Sequence, residues 1–160
     1  MKHTLSVTVE NEPGVLSRVA GLFSGRGFNI ESLNVGPTLD PGVSIMTITT
    51  EGDEQIIEQI VKQLRKLIMV IKVVDLTEMK SVLRETMLLK VNACDASRAE
   101  ILRTVDIFRC KVVDVSIDEL TIEVTGNHEK LAAIIGLLTR FGIKEIARSG
   151  MVAMKRSMQG

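Results

Sequence analysis

The run Asn11-Glu12-Pro13-Gly14-Val15-Leu16-Ser17-Arg18, followed by Gly25-Arg26-Gly27-Phe28-Asn29-Ile30-Glu31-Ser32-Leu33, holds the residues best suited to chemistry in this chain. A Pro-Gly turn running into a helix leaves the leading N–H groups of that helix without intrahelical partners, and those groups carry partial positive charge. Pro13 stiffens the entry, and Gly14 lets a ligand or a second chain come close to the backbone. A carboxylate set against the amides of Gly14, Val15 and Leu16 would be well stabilised. Asn29 offers both a donor and an acceptor, so it suits the same carboxylate or an ammonium group. The arrangement is expected to bring the free amides and the Asn29 side chain to the same edge of a sheet. A free amino acid is the natural zwitterionic fit. The plainer alternative is that Asn11 caps the helix and Asn29 pins a turn.

Bond-breaking chemistry finds no comparable set of residues. His3, His128, Cys94 and Cys110 are scattered, with no ligand spacing for a metal and no nucleophile beside a base. Gly25-Arg26-Gly27 follows a helix and lacks a third glycine, so it is not a dinucleotide fingerprint. Gly126-Asn127-His128-Glu129-Lys130 reads as a turn with a helix cap. Asp53-Glu54, Glu78 and Asp118-Glu119 fit helix-dipole placement or solvation better than acid–base work. Met151, Met154 and Met158 read equally as an adaptable contact surface or as loosely packed filler.

Charge and composition narrow the partners. Twenty Lys and Arg balance twenty Asp and Glu, which argues against a nucleic-acid binder and favours association with another chain. Only four aromatic residues are present, all Phe, so there are few rings for base stacking. No apolar run is long enough to span a bilayer. Met1-Lys2-His3-Thr4 leads directly into a strand pattern with no signal segment, so a cytoplasmic protein with two reduced thiols is expected.

The elements that must position the Asn11–Ile30 run follow from periodicity. Residues 3–10 alternate as a strand. Leu16, Val19, Ala20, Leu22 and Phe23 share a helix face, and Gly25 and Gly27 end that helix. Residues 29–36 and 43–50 read as strands joined by Pro37-Thr38-Leu39-Asp40-Pro41-Gly42. Gly52-Asp53 opens a second helix with Ile56, Ile57, Ile60, Val61, Leu64 and Leu67 as its stripe, and residues 70–76 form a strand. The pattern resets at Thr77–Lys80 and repeats: a strand at 86–93, a helix capped by Ser97, strands at 111–117 and 119–125, a helix capped by Asn127, and a closing strand at 141–147. The fold class is α+β, two ferredoxin-like βαββαβ units at 1–77 and 78–160, each an antiparallel sheet with helices on one face. The second sheet face of the first unit does not read as polar, so sheet or edge pairing between copies is expected. The tail from Met151 to Gly160 is expected to be disordered until a partner is present.

One enzyme family shares this plan. Small acylphosphatases use an Arg near the first strand–helix turn and an Asn on the second strand, and Arg18 and Asn29 stand in those regions. The glycine-rich anion cradle is absent, and Glu12 would oppose a phosphate.

A different resemblance is specific. Asn11-Glu12-Pro13-Gly14-Val15-Leu16-Ser17-Arg18 with Gly25-Arg26-Gly27-Phe28-Asn29-Ile30-Glu31-Ser32-Leu33 resembles the N-terminal ACT domain of the regulatory small subunit of acetohydroxyacid synthase, also called acetolactate synthase. Pro37-Thr38, Met46-Thr47-Ile48, Gln63-Leu64-Arg65-Lys66-Leu67 and Ala147-Arg148-Ser149-Gly150 agree, so the likeness covers nearly the whole chain. It implies a non-catalytic subunit of a homodimer paired through its ACT domains. Such a subunit activates a catalytic large subunit and makes it sensitive to a branched-chain amino acid, usually valine. Thiamine diphosphate, Mg and FAD are implied on that catalytic partner and no cofactor on this chain. The implied ligand contacts, between two ACT domains, are Asn11, Gly14, Val15, Leu16, Asn29 and Ile30. Phe28 stands where a Tyr is usual, Ile45 where an Arg is common, and Gly36 where an Ala is common. A stand-alone amino-acid sensor acting on another effector is the alternative.

Overall fold

The computed structural model describes residues 1–158 and divides into two units. One comprises Met1–Val82 with the chain from Met151 onward, the other Leu83–Gly150.

The first unit contains β1 (Lys2–Glu10), α1 (Val15–Gly25), β2 (Ile30–Pro37), β3 (Val43–Glu51), α2 (Glu54–Arg65) and β4 (Val70–Asp75). The strands form an antiparallel sheet in the order β2-β3-β1-β4. Strand alternation sends Leu5, Val7 and Val9 to one face, where they pack with Met46, Ile48, Val19, Phe23, Ile57, Ile60 and Leu64. Asp53 caps α2 through a bond from the Gln55 N–H at 2.8 Å, and Lys62 and Arg65 near its end complement the dipole.

The opposite sheet face differs from expectation. Registered rows place Asn34, Thr47 and Ser6 side by side, with Thr4, Thr8 and Thr49 around them. It is a Ser/Thr face, although Thr47 is only 4% exposed. In β1 every second residue, Thr4, Ser6 and Thr8, is a small hydroxyl, and Thr47 and Thr49 of β3 join them, so Ile45 and Val74 are isolated apolar residues on this face.

The second unit carries most of β5 (Ser81–Asn92), α3 (Asp95–Ile107), β6 (Lys111–Val115), β7 (Glu119–Gly126), α4 (His128–Leu138), a 3-10 turn (Thr139–Phe141) and β8 (Ile143–Lys155) as far as Gly150. Its sheet order is β6-β7-β5-β8. Met87, Leu89, Val91, Ile122 and Val124 meet Ile101, Val105, Leu131, Ile134 and Leu138 in a separate core. Asn127 caps α4 through the Lys130 N–H at 3.0 Å, as its sequence position predicts. Ser97 does not cap α3. That helix starts earlier, with Cys94 at the cap position, and the Ser97 hydroxyl sits 3.3 Å from the Cys94 sulfur and from the Cys94 carbonyl.

Two further expectations change. The closing strand is not confined to 141–147 but runs through Lys155, with Met151 buried and the Arg156 N–H donating to the Lys80 carbonyl at 2.8 Å. The tail is therefore ordered strand to Lys155, and it groups with the first unit. Residues 159–160 lie outside the described residues. Met154 and Met158 are exposed, whereas Met151 is buried.

Arg98 fixes the far end of the second unit. Its Nη2 donates to the carbonyls of Ala93 (3.1 Å), Ser116 (2.8 Å) and Ile117 (2.7 Å), which ties α3 to the β5 exit and the β6–β7 turn. Arg98→Met should lower stability by about 1–3 kcal/mol in denaturant unfolding; an unchanged midpoint would contradict that role. The two thiols should also part company. Hydrogen bonds from the Ser97 hydroxyl and the Ser97 and Ala96 N–H groups hold the exposed Cys94 thiol below its usual pKa, while burial pushes Cys110 up. At a pH below the ordinary thiol pKa, Cys94 carries the larger thiolate fraction. Iodoacetamide mapping of the folded chain should find Cys94 alkylated first, and equal rates would refute the assignment.

Candidate ligand site

The Pro-Gly turn builds a helix start with open donors. Gly14 adopts the left-handed conformation (φ 85°) as the N-cap of α1, and no side chain caps the helix. The Val15 N–H makes only a long contact to the Glu12 carbonyl, 3.5 Å, and Arg18 donates to Gly14 at 3.1 Å. Among the described residues, the N–H groups of Leu16 and Ser17 between them have no backbone partner outside the helix. A Cβ on Gly14 would meet nothing within 4 Å, so the space in front of the turn is open.

Asn11 does not cap α1. Its backbone N–H donates to the Gly42 carbonyl at 2.8 Å and its side-chain amide to the Pro41 carbonyl at 3.0 Å. Asn11 thus clips the β2–β3 hairpin loop to the β1–α1 turn. That loop is further tied by Asp40 accepting from Gly42 N–H and by the Thr38 hydroxyl. Val15 turns its side chain into the first core, so only its backbone faces outward. Leu16 is 45% exposed beside the free amides.

Asn29 lies elsewhere. The row His3, Thr50 and Ile30 marks one end of the sheet, and the row Glu10 and Val43 marks the other. Asn11 and Gly14 follow Glu10, whereas Asn29 immediately precedes Ile30. His3 and Glu10 are seven residues apart along β1, about 23 Å at the usual strand rise. The expectation that one chain brings the α1 amides and Asn29 together is therefore corrected. The helix carries the chain back down the sheet before β2 begins.

At that second end, the Thr50 hydroxyl donates to the Asn29 carbonyl at 2.7 Å, and the Phe28 ring packs on Gly52 so closely that a Cβ there would fall 2.4 Å from Phe28 Cε1. These contacts hold the backbone of Asn29. Its exposed side chain has no hydrogen-bond partner among the described residues. Ile30 is half-buried against the first core. Ile45 pairs with Gly36 and Thr8 on the hydroxyl face, and Gly36 has open space on its Cβ side.

The acylphosphatase arrangement does not assemble either. Arg18 lies in the first turn of α1, at the opposite end from Asn29. His3 is buried in the first unit, its Nδ1 3.4 Å from the Thr77 hydroxyl, while His128 is exposed in the second. Among the described residues no group of three or more His, Cys, Asp or Glu is placed to hold a metal ion. Among the described residues no helix is long and apolar enough to cross a membrane.

Residues 5–72 match the AHAS small subunit-like ACT domain, and residues 84–157 match the small subunit of acetolactate synthase. The chain is 56% identical to a probable acetolactate synthase small subunit of Archaeoglobus fulgidus, over 98% of both chains. It is 55% identical to the acetolactate synthase small subunit of Aquifex aeolicus, covering 98% of this chain and 82% of the other. The crystal structure of the acetolactate synthase small subunit from Thermotoga maritima superposes with a TM-score of 0.88 at 45% identity, over 99% of each chain. Two matched domains spanning nearly the whole chain, on the same two-unit fold, place this protein in the family of acetolactate synthase small subunits.

Proposed function

We propose that this chain activates a thiamine-diphosphate-dependent catalytic large subunit in the cytoplasm and subjects it to feedback inhibition by a branched-chain amino acid, valine first. The subunit adds no catalytic group; thiamine diphosphate, Mg and FAD belong to the partner. The ligand sits between the first units of two copies, whose β2 edges and α1 helices run antiparallel about a two-fold axis.

The separation of the α1 amides from Asn29 along the sheet supports this reading. One chain presents donors for a carboxylate at one end and an unpartnered amide at the other. A two-fold axis across β2 brings each Gly14 turn to the second copy's Asn29, giving two equivalent sites with complementary halves. The carboxylate meets the Leu16 and Ser17 N–H groups, with those of Gly14 and Val15 beside them. The ammonium meets the Asn29 oxygen. Leu16 and Ile30 line the apolar part, and Asn11 positions the turn through Pro41 and Gly42.

Burial of an isopropyl group contributes roughly 1.5–3 kcal/mol. One methylene separates valine from leucine or isoleucine, about 1–3 kcal/mol of discrimination. Such a site prefers valine without excluding the others. Feedback then follows from a difference in valine affinity between two arrangements of the dimer on the catalytic subunit.

Gly14→Asp puts a carboxylate into the open space that the ligand carboxylate would take. It should raise the valine concentration for half-inhibition by about tenfold or more while activation persists. Gly14→Asn carries the same left-handed backbone demand without the charge, and should retain more feedback. Full valine sensitivity in Gly14→Asp would refute the site. Asn29→His should weaken valine binding in calorimetry through loss of the amide. Addition of the chain to its catalytic subunit without any rate increase would refute the regulatory role and favour a stand-alone sensor.

A further inference from the structure

The ladder of β2 gives Asn29 little support. The β2–β3 register shifts between Ile30 and Ser32, and Glu31 at that irregularity pairs with Lys2 at 3.4 Å. Two contacts from the corner between β3 and α2 take over. The buried Thr50 hydroxyl donates its one proton to the Asn29 carbonyl at 2.7 Å. Gly52 seats the half-buried Phe28 ring. The φ of Gly52 is not positive, so it is the ring and not the backbone that calls for glycine. A methyl group on Gly52 would overlap Phe28 Cε1 and press on Cδ1 at 3.1 Å and Cζ at 3.4 Å. The looser side must yield to such an overlap. The Gly52 N–H is bound to the Met1 carbonyl at 3.1 Å, and the next residue, Asp53, caps α2. Phe28 is partly exposed, and Asn29 follows it directly. The ring yields, and the Asn29 backbone moves with it.

We infer that Gly52 and Thr50 are positioning residues for the amino-acid ligand, which act by aiming the Asn29 amide. This rests on the proposed role of Asn29 toward the ligand ammonium. Thr50 is fully buried and Gly52 has no side chain, so both act through residues 28 and 29. Hydrogen bonds weaken steeply once donor and acceptor fall out of line. The exposed Asn29 side chain has no partner of its own among the described residues, so its direction before binding is set by its backbone. A backbone fixed in advance lowers the ordering that the ligand must bring about. The fixing groups stand on another strand, with Thr50 twenty-one residues from Asn29. The pose of this half of the site is therefore written into the β3–α2 corner and not into the loop that carries Asn29.

Calorimetry with valine on the full-length chain tests this. Gly52→Ala and Thr50→Val should each weaken binding about threefold or more. Thr50→Ser, which keeps the hydroxyl, should bind close to the parent. Denaturant unfolding of each variant gives its folded fraction, and the Thr50 pair carries the test if Gly52→Ala folds poorly. In an Asn29→Ala background, itself weaker, neither change should cost anything further, because no amide is left to aim. In a Phe28→Leu background Gly52→Ala should likewise add nothing, because the ring edge is gone. Parental affinity in Gly52→Ala and Thr50→Val overturns the inference. So do losses that persist in full beside Asn29→Ala, and both outcomes leave Asn29 in the site. Unchanged affinity in Asn29→Ala alone overturns the proposed ligand role of Asn29 and this inference with it.

Discussion

A βαβ connection returns the chain to the opposite end of the sheet before the next strand begins, and the proposed ligand site depends on that return. The sheet of the first unit runs antiparallel with fixed register, so Glu10 and Ile30 close opposite ends of it. Every residue between them is placed by that constraint. The Gly14 turn must stand at one end because it follows β1. Asn29 must stand at the other because it precedes β2. No side-chain rotation spans seven rows of strand. A compact zwitterion that uses both ends therefore calls for two chains, and the symmetry of two chains makes two such sites at once.

The local contacts serve that plan. The positive φ of Gly14 aims the first N–H groups of α1 outward in place of a side-chain cap. Asn11, freed from capping, braces the hairpin loop against the same turn. At the far end, Phe28 on Gly52 and the Thr50 hydroxyl on the Asn29 carbonyl fix the backbone and leave the amide side chain exposed. The proposed binding groups are thus without partners among the described residues, while the residues around them are engaged. Under the proposed reading, ligand binding couples to the arrangement of two copies, as a regulatory role on a catalytic partner would require.

Much of this is legible in the amino-acid sequence. The alternation of Leu5, Val7 and Val9 and the helical stripe from Ile57 to Leu64 specify their elements because burial has a period. Asp53 and Asn127 announce helix starts because their side chains satisfy specific N–H groups. The Asn11–Leu33 run carried the family likeness. Register was not legible, since nothing in the residue types of Gly14 and Asn29 records which end of a sheet each occupies. Nor was the role of Asn11, because the Pro41 carbonyl that accepts its amide lies thirty residues away. Ser97 misled as a cap because the hydroxyl three residues into a helix start resembles one at its boundary. The strand through Lys155 was hidden by a tail whose Met and Lys residues suit strand or coil equally.

The composite site is tested most directly by mixing chains. Gly14→Asp and Asn29→His, each alone, damage both sites of a dimer. In a mixed dimer, one site carries both changes and the other carries neither. After unfolding and co-refolding in equal amounts, calorimetry should find valine binding restored to about a quarter of the wild-type sites if the two chains pair at random. If the mixture binds no more valine than the two variants apart, the site lies within a single chain and the account is wrong.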